Sequence, residues 1–180
     1  FFDDFTTSSV YPDSRLWIDR DVFVNNDMAY MPPSIGVATF DGLDQNGFPY
    51  NPGAENSKGK VCDRLTSVPI DMTNYNENDN IYLSFFYQPQ GIADKPEPYD
   101  SLVLEFKPDS LWVGSFWDTA EWVRIWGMEG GGRKNFEQVL LKIPLFVIDT
   151  SQVIDTIGKF FHEAFQFRFK NYGSQAGNLD

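Results

Sequence analysis

The segment AFQFRFKNYG (residues 164–173) alternates apolar and polar side chains over most of its length. An extended backbone sends successive side chains to opposite faces, so every second residue shares a face. One face then carries three phenylalanines and the other carries polar groups: Phe165, Phe167 and Phe169 against Gln166, Arg168 and Lys170. We predict a β-strand whose aromatic face lies in a core and whose polar face meets water.

A second segment, NIYLSFFYQPQG (residues 80–91), is the clearest candidate for a central strand. Its apolar residues fall on both faces of an extended chain: Ile81, Leu83, Phe85 and Tyr87 on one, Tyr82 and Phe86 on the other. Two apolar faces are typical of a strand that is covered on both sides. We therefore predict that both faces of this strand are buried.

Further strand-like segments are separated by clusters of Gly, Pro, Asn and Asp: residues 15–26, 34–40, 63–72, 99–109, 121–132 and 135–148. This spacing favours a sandwich of antiparallel strands. The best helix candidate is TSQVIDTIGKFFHEA (residues 150–164), with Ser151 as its cap. The sequence predicts an all-β, two-sheet antiparallel jelly-roll sandwich with at most one short helix near residues 150–162.

Size and charge limit the classes of function. The 180 residues, of which 42% are hydrophobic and 17% aromatic, suffice for a single domain over residues 1–180. The formal net charge of −12 argues against nucleic acid and anionic membranes as partners, while calcium or a basic partner is compatible with it. No apolar run reaches the roughly 18 residues of a membrane span, so we expect no direct membrane insertion.

Residues that carry catalytic chemistry are scarce. One cysteine cannot form an internal disulfide, and one cysteine with one histidine cannot build a Cys/His zinc site. We predict that Cys62 is a small buried residue and that His162 is structural. The glycine-rich MEGGGRKN (residues 128–135) lacks the end of a phosphate loop, and we interpret it as a hairpin connection. We expect no enzymatic activity.

The loop TFDGLDQNGFPYNPG (residues 39–53) has three interpretations. Its Asn and Gly suit a structural turn, in which Phe48 and Tyr50 pack the loop onto the sheets. Asp41 and Asp44 offer the oxygen ligands that calcium prefers, although the spacing is not that of an EF-hand. The third interpretation is the rim of a ligand site, with Tyr50 in contact with the ligand.

Four tryptophans lie within residues 112–126 and form the second candidate for ligand binding. Exposed tryptophan rings stack on the apolar faces of sugars. Trp117 is our preferred exposed platform, and Trp122 and Trp126 share a face with Arg124 in the alternating pattern. The alternative is that these rings pack in the core or between the sheets.

The order of the segments resembles the MAM-type jelly roll. The motifs that carry the resemblance are FDDF (2–5), LTSVPID (65–71), IYLSFFYQPQG (81–91), DSLVLEF (100–106), WVRIWGMEGG (122–131), FEQVLLKIP (136–144) and FQFRFKNYGSQAGNLD (165–180). PPSIGVATFDGLDQNGFPY (32–50) is similar to jelly-roll modules of large secreted proteins of Bacteroidota, many of them exported by the type IX system. Two features depart from the MAM pattern: the chain has no cysteine pair, and residues 110–121 look like an insertion.

The resemblance implies a concanavalin/MAM-like sandwich used for adhesion or glycan binding at the bacterial cell surface. In many lectin-like jelly rolls a calcium ion joins the first strand to the last, and the matching positions here are Asp3 or Asp4 and Asp180. We expect a secreted or surface-exposed, non-catalytic module, part of a longer polypeptide, that binds a glycan or an envelope protein. The alternatives are a structural or docking subunit of a secretion or gliding assembly and, less favoured, a lectin-fold glycoside hydrolase.

Overall fold

A computed structural model describes residues 1–6, 9–53, 59–109, 122–143, 147–149, 152–154 and 160–176. In these ranges the chain forms strands and one 3-10 turn, Glu77–Asp79. The strands are β1 (Phe23–Asn25), β2 (Val37–Thr39), β3 (Lys60–Thr66), β4 (Tyr82–Tyr87), β5 (Ser101–Lys107), β6 (Val123–Glu129), β7 (Glu137–Lys142), β8 (Val147–Asp149), β9 (Gln152–Ile154) and β10 (Gln166–Gly173). The prediction of an all-β, antiparallel fold is confirmed.

The largest sheet has four antiparallel strands in the order β3-β10-β5-β6. β10, the strand of the alternating phenylalanines, lies between β3 and β5, with Phe169 paired to Leu65 on one side and to Leu104 on the other. This central position supplies hydrogen-bond partners to both edges of β10. Successive side chains of β10 therefore point to the two opposite faces of the sheet and pack there with those of β3 and β5.

A second sheet pairs β4 with β7, and its aromatic rings contact the four-stranded sheet. The Phe85 ring lies 4.8 Å from that of Phe169 and 5.1 Å from that of Trp126, both edge-to-face. The Tyr87 ring lies 5.0 Å from Trp126. Edge-to-face ring pairs contribute about 0.5–1.5 kcal/mol each beyond burial, so these contacts hold the two sheets together. β1 pairs with β2, and β8 with β9, as separate two-stranded sheets.

The core lies on the inner face of the four-stranded sheet. Its fully buried members include Leu65, Leu104, Phe106 and Phe160. Each such side chain contributes about 1.5–3 kcal/mol by its transfer from water. Phe106 also contacts Phe160 and Phe165 edge-to-face at 5.4 and 5.1 Å, so aromatic packing extends along the sheet.

The outer faces of β10 and β4 differ from the prediction in their burial. The phenylalanines of β10 are buried as expected, but its other face is not in water, because Gln166 and Lys170 are only 6% and 8% exposed. β4 keeps the predicted alternation, yet Tyr82 and Phe86 on its outer face are 51% and 52% exposed. The prediction was therefore wrong for the outer face of each strand. Alternation in the sequence shows which residues share a face, but it does not show whether another part of the protein covers that face.

Two local predictions were also wrong. Gln152–Ile154 is strand β9, so the helix predicted over residues 150–164 does not form there; residues 155–159 lie outside the described ranges. The glycine-rich segment is not a hairpin connection, because β6 belongs to the four-stranded sheet and β7 pairs with β4 in the other. A hairpin would need adjacent partners, and here the chain passes from one sheet to the next.

Cys62 is buried, as predicted, and burial with the charge of Asp63 raises the pKa of its thiol to about 12. The His162 ring contacts backbone groups on both sides: Nε2 lies 3.2 Å from the Lys107 carbonyl oxygen, and Nδ1 accepts the Ala164 N–H at 3.3 Å. In the ranges that the structure covers, no helix has the length and apolarity needed to cross a membrane.

Candidate functional site

A cleft of about 740 Å³ lies between β4 and the four-stranded sheet. Residues of β4, β10, β5 and β2 line it, together with the N-terminal residues Phe1–Phe5 and with residues 88–91, 93, 94, 96 and 100. Pockets that hold small ligands have volumes of about 300–1,000 Å³, so the cleft has a suitable size. We call this space the cleft and treat it as the candidate binding site.

Aromatic rings close the cleft at the N-terminal segment. The Phe1 ring contacts Trp17 at 5.1 Å and Phe167 at 5.2 Å, and the Phe5 ring stacks on Trp17 at 6.0 Å. The Asp3 carboxylate fixes this arrangement: it accepts the Trp17 indole N–H at 2.6 Å and the Phe5 backbone N–H at 2.8 Å. The N-terminal segment is therefore a wall of the cleft with specific partners.

Gly36 permits the close approach of this wall. A Cβ atom at position 36 would lie 2.1 Å from the Phe5 carbonyl oxygen, which is far inside van der Waals contact. Phe5 itself has a positive φ of 54°, and its backbone is held there by the turn that Asp3 closes. Only glycine at position 36 leaves room for this backbone.

The charged side chains of the cleft are all acidic: Asp3, Asp4, Asp41, Asp94, Asp100 and Glu129. Among the residues that the structure describes, no lysine, arginine or histidine lines the cleft. With the aromatic walls, this lining suits a ligand that has apolar faces and hydrogen-bond donors. It disfavours phosphorylated or sulfated ligands, because their charge would be repelled.

Asp100 is the buried member of this acidic set, with 5% of its surface exposed. Its Oδ2 accepts the Glu97 backbone N–H at 2.7 Å, and its Oδ1 has no hydrogen-bond partner among the described residues. Burial raises the pKa of Asp100; the Glu97 N–H bond opposes that shift and the Glu97 carboxylate adds to it.

A second buried acid, Asp63, lies beside the cleft on β3. It accepts the Tyr50 hydroxyl at 2.8 Å and the Asp41 backbone N–H at 2.7 Å, while its own N–H donates to the Asn171 side chain at 2.7 Å. Burial raises the pKa of Asp63 to about 8, and the nearby Asp41 and Asp21 charges act in the same direction. Asp63 has no basic partner in these contacts.

The loop over residues 39–53 is a hydrogen-bonded turn tied to this acid. Asp44 accepts the N–H groups of Asn46 and Phe48, and Asp41 accepts that of Leu43. Tyr50 packs as the structural interpretation predicts, through its bond to Asp63. Phe48 does not pack onto the sheets, because it is 66% exposed. Asp41 lines the cleft; Asp44 and Tyr50 do not.

The predicted calcium ligands at the two ends of the chain are only partly described. Asp3 and Asp4 both line the cleft and accept backbone N–H groups, Asp4 from Thr6 at 3.0 Å. Residues 171–174, at the end of β10, line the same cleft, so this strand end and the N-terminal segment share it. Asp180 lies outside the described residues. Within the described ranges no three His, Cys, Asp or Glu residues form a group that could hold a metal ion, and calcium stays a prediction.

The tryptophans are divided by a β-bulge. The pairing of β5 with β6 shifts between Leu104 and Glu105, so Arg124 and Trp126 do not share a face as simple alternation predicted. Trp126 packs inward on Phe85 and Tyr87, whereas Trp122 lies under the Arg168 guanidinium at 4.2 Å. Trp122 and Trp126 do not line the cleft, and Trp117 lies outside the described residues.

The sequence interpretation missed Asp63 and Asp100 as site residues. Both residues occur at or near the start of predicted strands, in DRLTSVPIDM and YDSLVLEFKPD. An acidic residue at such a position suggests a strand end that is exposed to water. Comparison of this chain with protein-family models, curated proteins and solved structures found no match, so the resemblance to MAM-type jelly rolls stands on its motifs alone.

Proposed function

We propose that this protein is a non-catalytic carbohydrate-binding module and that the cleft is its binding site. The observation that carries the proposal is the lining of the cleft: aromatic walls, six acidic residues and no basic side chain among the described residues. The ligand class is a glycan without phosphate or sulfate groups.

The chemistry of sugars supports this assignment. The C–H face of a pyranose ring is apolar and stacks on aromatic rings, while its hydroxyl groups donate hydrogen bonds to carboxylates. The rings of Phe2 and Tyr172 and the carboxylates of Asp3 and Glu129 line the same cleft. A glycan can therefore use both kinds of contact at once.

We further propose that the sheets belong to a jelly-roll sandwich of a secreted or cell-surface protein. Its support is the passage of the chain between sheets, from β3 to β4, back to β5, and from β6 to β7. The MAM-type motifs add the expectation of an extracellular adhesion module with a calcium ion near the ends of the chain.

One observation favours a second function, docking to an envelope or surface protein. The outer face of the β4–β7 sheet presents Tyr82, Phe86 and Leu140, which are 51%, 52% and 61% exposed. Exposed apolar patches of this kind are typical of protein interaction sites. A structural subunit of a secretion or gliding assembly would use this face.

Binding measurements on point variants distinguish the two proposed functions. A glycan array followed by calorimetry should find uncharged or amine-bearing glycans that bind the full chain, and Phe2→Ala should weaken that binding. Phe48→Ala is the matched control, because Phe48 is also highly exposed but lies outside the cleft. Binding to no glycan, or equal losses from both variants, would contradict the proposal. Loss of a protein partner in Leu140→Ser with glycan binding intact would support docking.

A further inference from the structure

Strand β4 carries backbone groups that no other described strand pairs. It pairs with β7 alone among the described strands, and next to this pair the Ile143 N–H donates to the Ile81 carbonyl oxygen at 2.9 Å. In an antiparallel pair every second residue bonds to the partner strand, so Tyr82, Ser84 and Phe86 direct their N–H and C=O groups away from β7. Among the described residues, nothing hydrogen-bonds to these groups.

This bare edge of β4 lines the cleft. All residues from Tyr82 to Gly91 line it, whereas the side chains of a strand alternate between two faces. The continuous run therefore means that β4 meets the cleft along its edge. Tyr82, Ser84 and Phe86 are exposed, so a ligand in the cleft can reach their backbone groups. The bare edge spans about 14 Å, the length of four residue steps in a strand.

β4 also lacks the features that usually protect an edge strand. Natural edges are commonly protected by charged side chains, proline, bulges or a covering loop. The segment YLSFF (residues 82–86) contains no charged residue and no proline, and its pairing with β7 has no register shift. An unprotected edge of this kind accepts an extended segment of another chain as a further strand.

The walls of the cleft specify the side chains of such a segment. Aromatic rings, among them Phe5 and Trp17, line the cleft, and every second side chain of an added strand would share the face that packs on apolar walls. Six acidic residues and no basic residue of the described ranges line it, so lysine or arginine on the added strand is complementary in charge. A second copy of this chain is disfavoured, since it has a net charge of −12.

We propose that the bare edge of β4 binds an extended peptide segment of a partner protein as an added strand, with apolar residues at alternate positions and basic residues between them. This inference rests on the second proposed function, docking to a surface protein, and does not require carbohydrate binding. The added strand extends the β4–β7 sheet beside the exposed Tyr82 and Phe86. It also occupies the cleft, so it excludes a glycan from the same space.

The first test uses synthetic peptides of about eight residues with blocked ends. One alternates valine and lysine, the second alternates valine and glutamate, and the third is the valine–lysine peptide with every backbone nitrogen methylated. Fluorescence anisotropy on the full chain should show that the first binds at least about tenfold more tightly than the other two. The acidic lining repels the second peptide, and the third keeps its charge but has no backbone N–H. Equal binding of the methylated peptide would overturn the assignment.

Hydrogen exchange locates the added strand. The amides of Leu83 and Phe85 bond to β7 and should be protected in the free protein, whereas those of Tyr82, Ser84 and Phe86 should exchange fast. The valine–lysine peptide should slow exchange at this second group. Binding without that protection would contradict strand addition.

Ser84→Pro tests the edge from the protein side. Proline removes an N–H that points away from β7, so the β4–β7 pair keeps its hydrogen bonds, and affinity for the valine–lysine peptide should fall at least about tenfold. Gln138→Pro is the matched control: it removes an outward N–H on the β7 edge, and both variants lose the hydrogen bond between the Gln138 and Ser84 side chains. Equal affinity of the two variants would refute the proposal.

The outcomes separate this inference from the proposed functions. If no peptide binds while Leu140→Ser still weakens binding of a protein partner, docking stands and strand addition at β4 is wrong. If no peptide binds and Leu140→Ser has no effect on any protein partner, both are wrong. The glycan array decides carbohydrate binding independently of these peptides.

Discussion

The Tyr50 hydroxyl donates a 2.8 Å hydrogen bond to Asp63, a fully buried carboxyl group on β3. The bond ties the loop over residues 39–53 to the four-stranded sheet. Burial also raises the pKa of the Tyr50 phenol, and the Asp63 charge adds to this effect, so the tyrosine stays protonated and keeps donating. The stability of this region therefore depends on the protonation state of Asp63.

Asp63 should make the protein less stable as the pH rises. Its pKa is about 8 in the folded chain against 3.8 in the unfolded chain, so between these values the folded state holds a proton that the unfolded state has lost. The free energy of unfolding then falls across that window. Denaturant unfolding at pH 5 and pH 8 should show a loss of about 2–4 kcal/mol from this group.

Asp63→Asn should remove that loss, because an amide resembles the protonated acid and does not titrate. Asp71→Asn is the control: this acid is exposed and its pKa is lowered by the Thr73 hydroxyl and N–H, so it does not titrate between pH 5 and 8. The idea fails if the Asp63→Asn variant keeps the same difference between the two pH values.

Glu105→Gln should destabilise the fold strongly. The Glu105 carboxylate accepts Arg168 Nε at 2.6 Å and Lys170 Nζ at 2.8 Å, and all three side chains are at least four-fifths buried. The substitution leaves two buried cations without an anion, at a cost of about 3–5 kcal/mol. Glu137→Gln is the control: its 3.6 Å pair with Lys134 is half exposed and contributes less than about 1 kcal/mol, and the glutamine oxygen still accepts the Tyr87 hydroxyl. Equal losses in urea unfolding would contradict this account.

The same Glu105 pairing predicts acid sensitivity. Burial by itself would raise the pKa of Glu105, but hydrogen bonds from Lys170 and Arg168 outweigh it and lower the pKa. A depressed carboxyl pKa contributes stability above its unfolded value, and this stability disappears as the pH falls through the folded pKa. The difference in unfolding free energy between the unmodified chain and Glu105→Gln should therefore shrink below about pH 4. A difference that stays constant down to about pH 2 would count against the ion pairs.

Trp126→Ala should destabilise the protein more than Trp122→Ala does. Trp126 is partly buried between the sheets and packs against the core, and truncation of such an aromatic costs up to about 3–5 kcal/mol. Trp122 stacks under Arg168 on the other face, an arrangement that contributes about 1 kcal/mol. Urea unfolding of the two variants measures the difference. The reverse order would show that the bulge does not divide the two rings.

Gly36→Ala should loosen the N-terminal wall of the cleft. The added methyl group collides with the Phe5 carbonyl, so residues 1–6 have to move away. Hydrogen exchange should become faster at the Phe5 amide, which donates to Asp3, while the amides of β10 stay protected. Gly132→Ala is the control, since no atom of the described residues lies within 4 Å of the added carbon. Unchanged exchange at Phe5 in Gly36→Ala would refute the contact.

Much of the fold follows from local pattern. The alternation in residues 164–173 predicted β10 with its phenylalanines inward, and the segments around β4, β5, β6 and β7 were predicted as strands. The prediction from side-chain alternation failed where the pairing with a neighbouring strand is irregular. The bulge beside Leu104 inserts one residue and turns Trp126 inward, and no property of the residues 121–132 alone signals it.

The site was harder to predict than the fold. Asp63 and Asp100 lie 37 positions apart, and each became notable only because tertiary packing removed it from water. Asp3, Asp4 and Asp41 were predicted from the sequence as calcium ligands, and all three line the cleft. Their common location depends on strand order, which sequence spacing does not encode.

The amino-acid sequence alone determined that this chain forms antiparallel strands, since side-chain alternation is a property of neighbouring residues and of backbone geometry. Which faces are buried was decided only in three dimensions. β10 is central, with Glu105 between its two cations, whereas β4 pairs with β7 alone among the described strands and exposes Phe86. A face of a strand is buried only where another part of the protein packs on it, and such packing contacts join residues that are far apart in the chain.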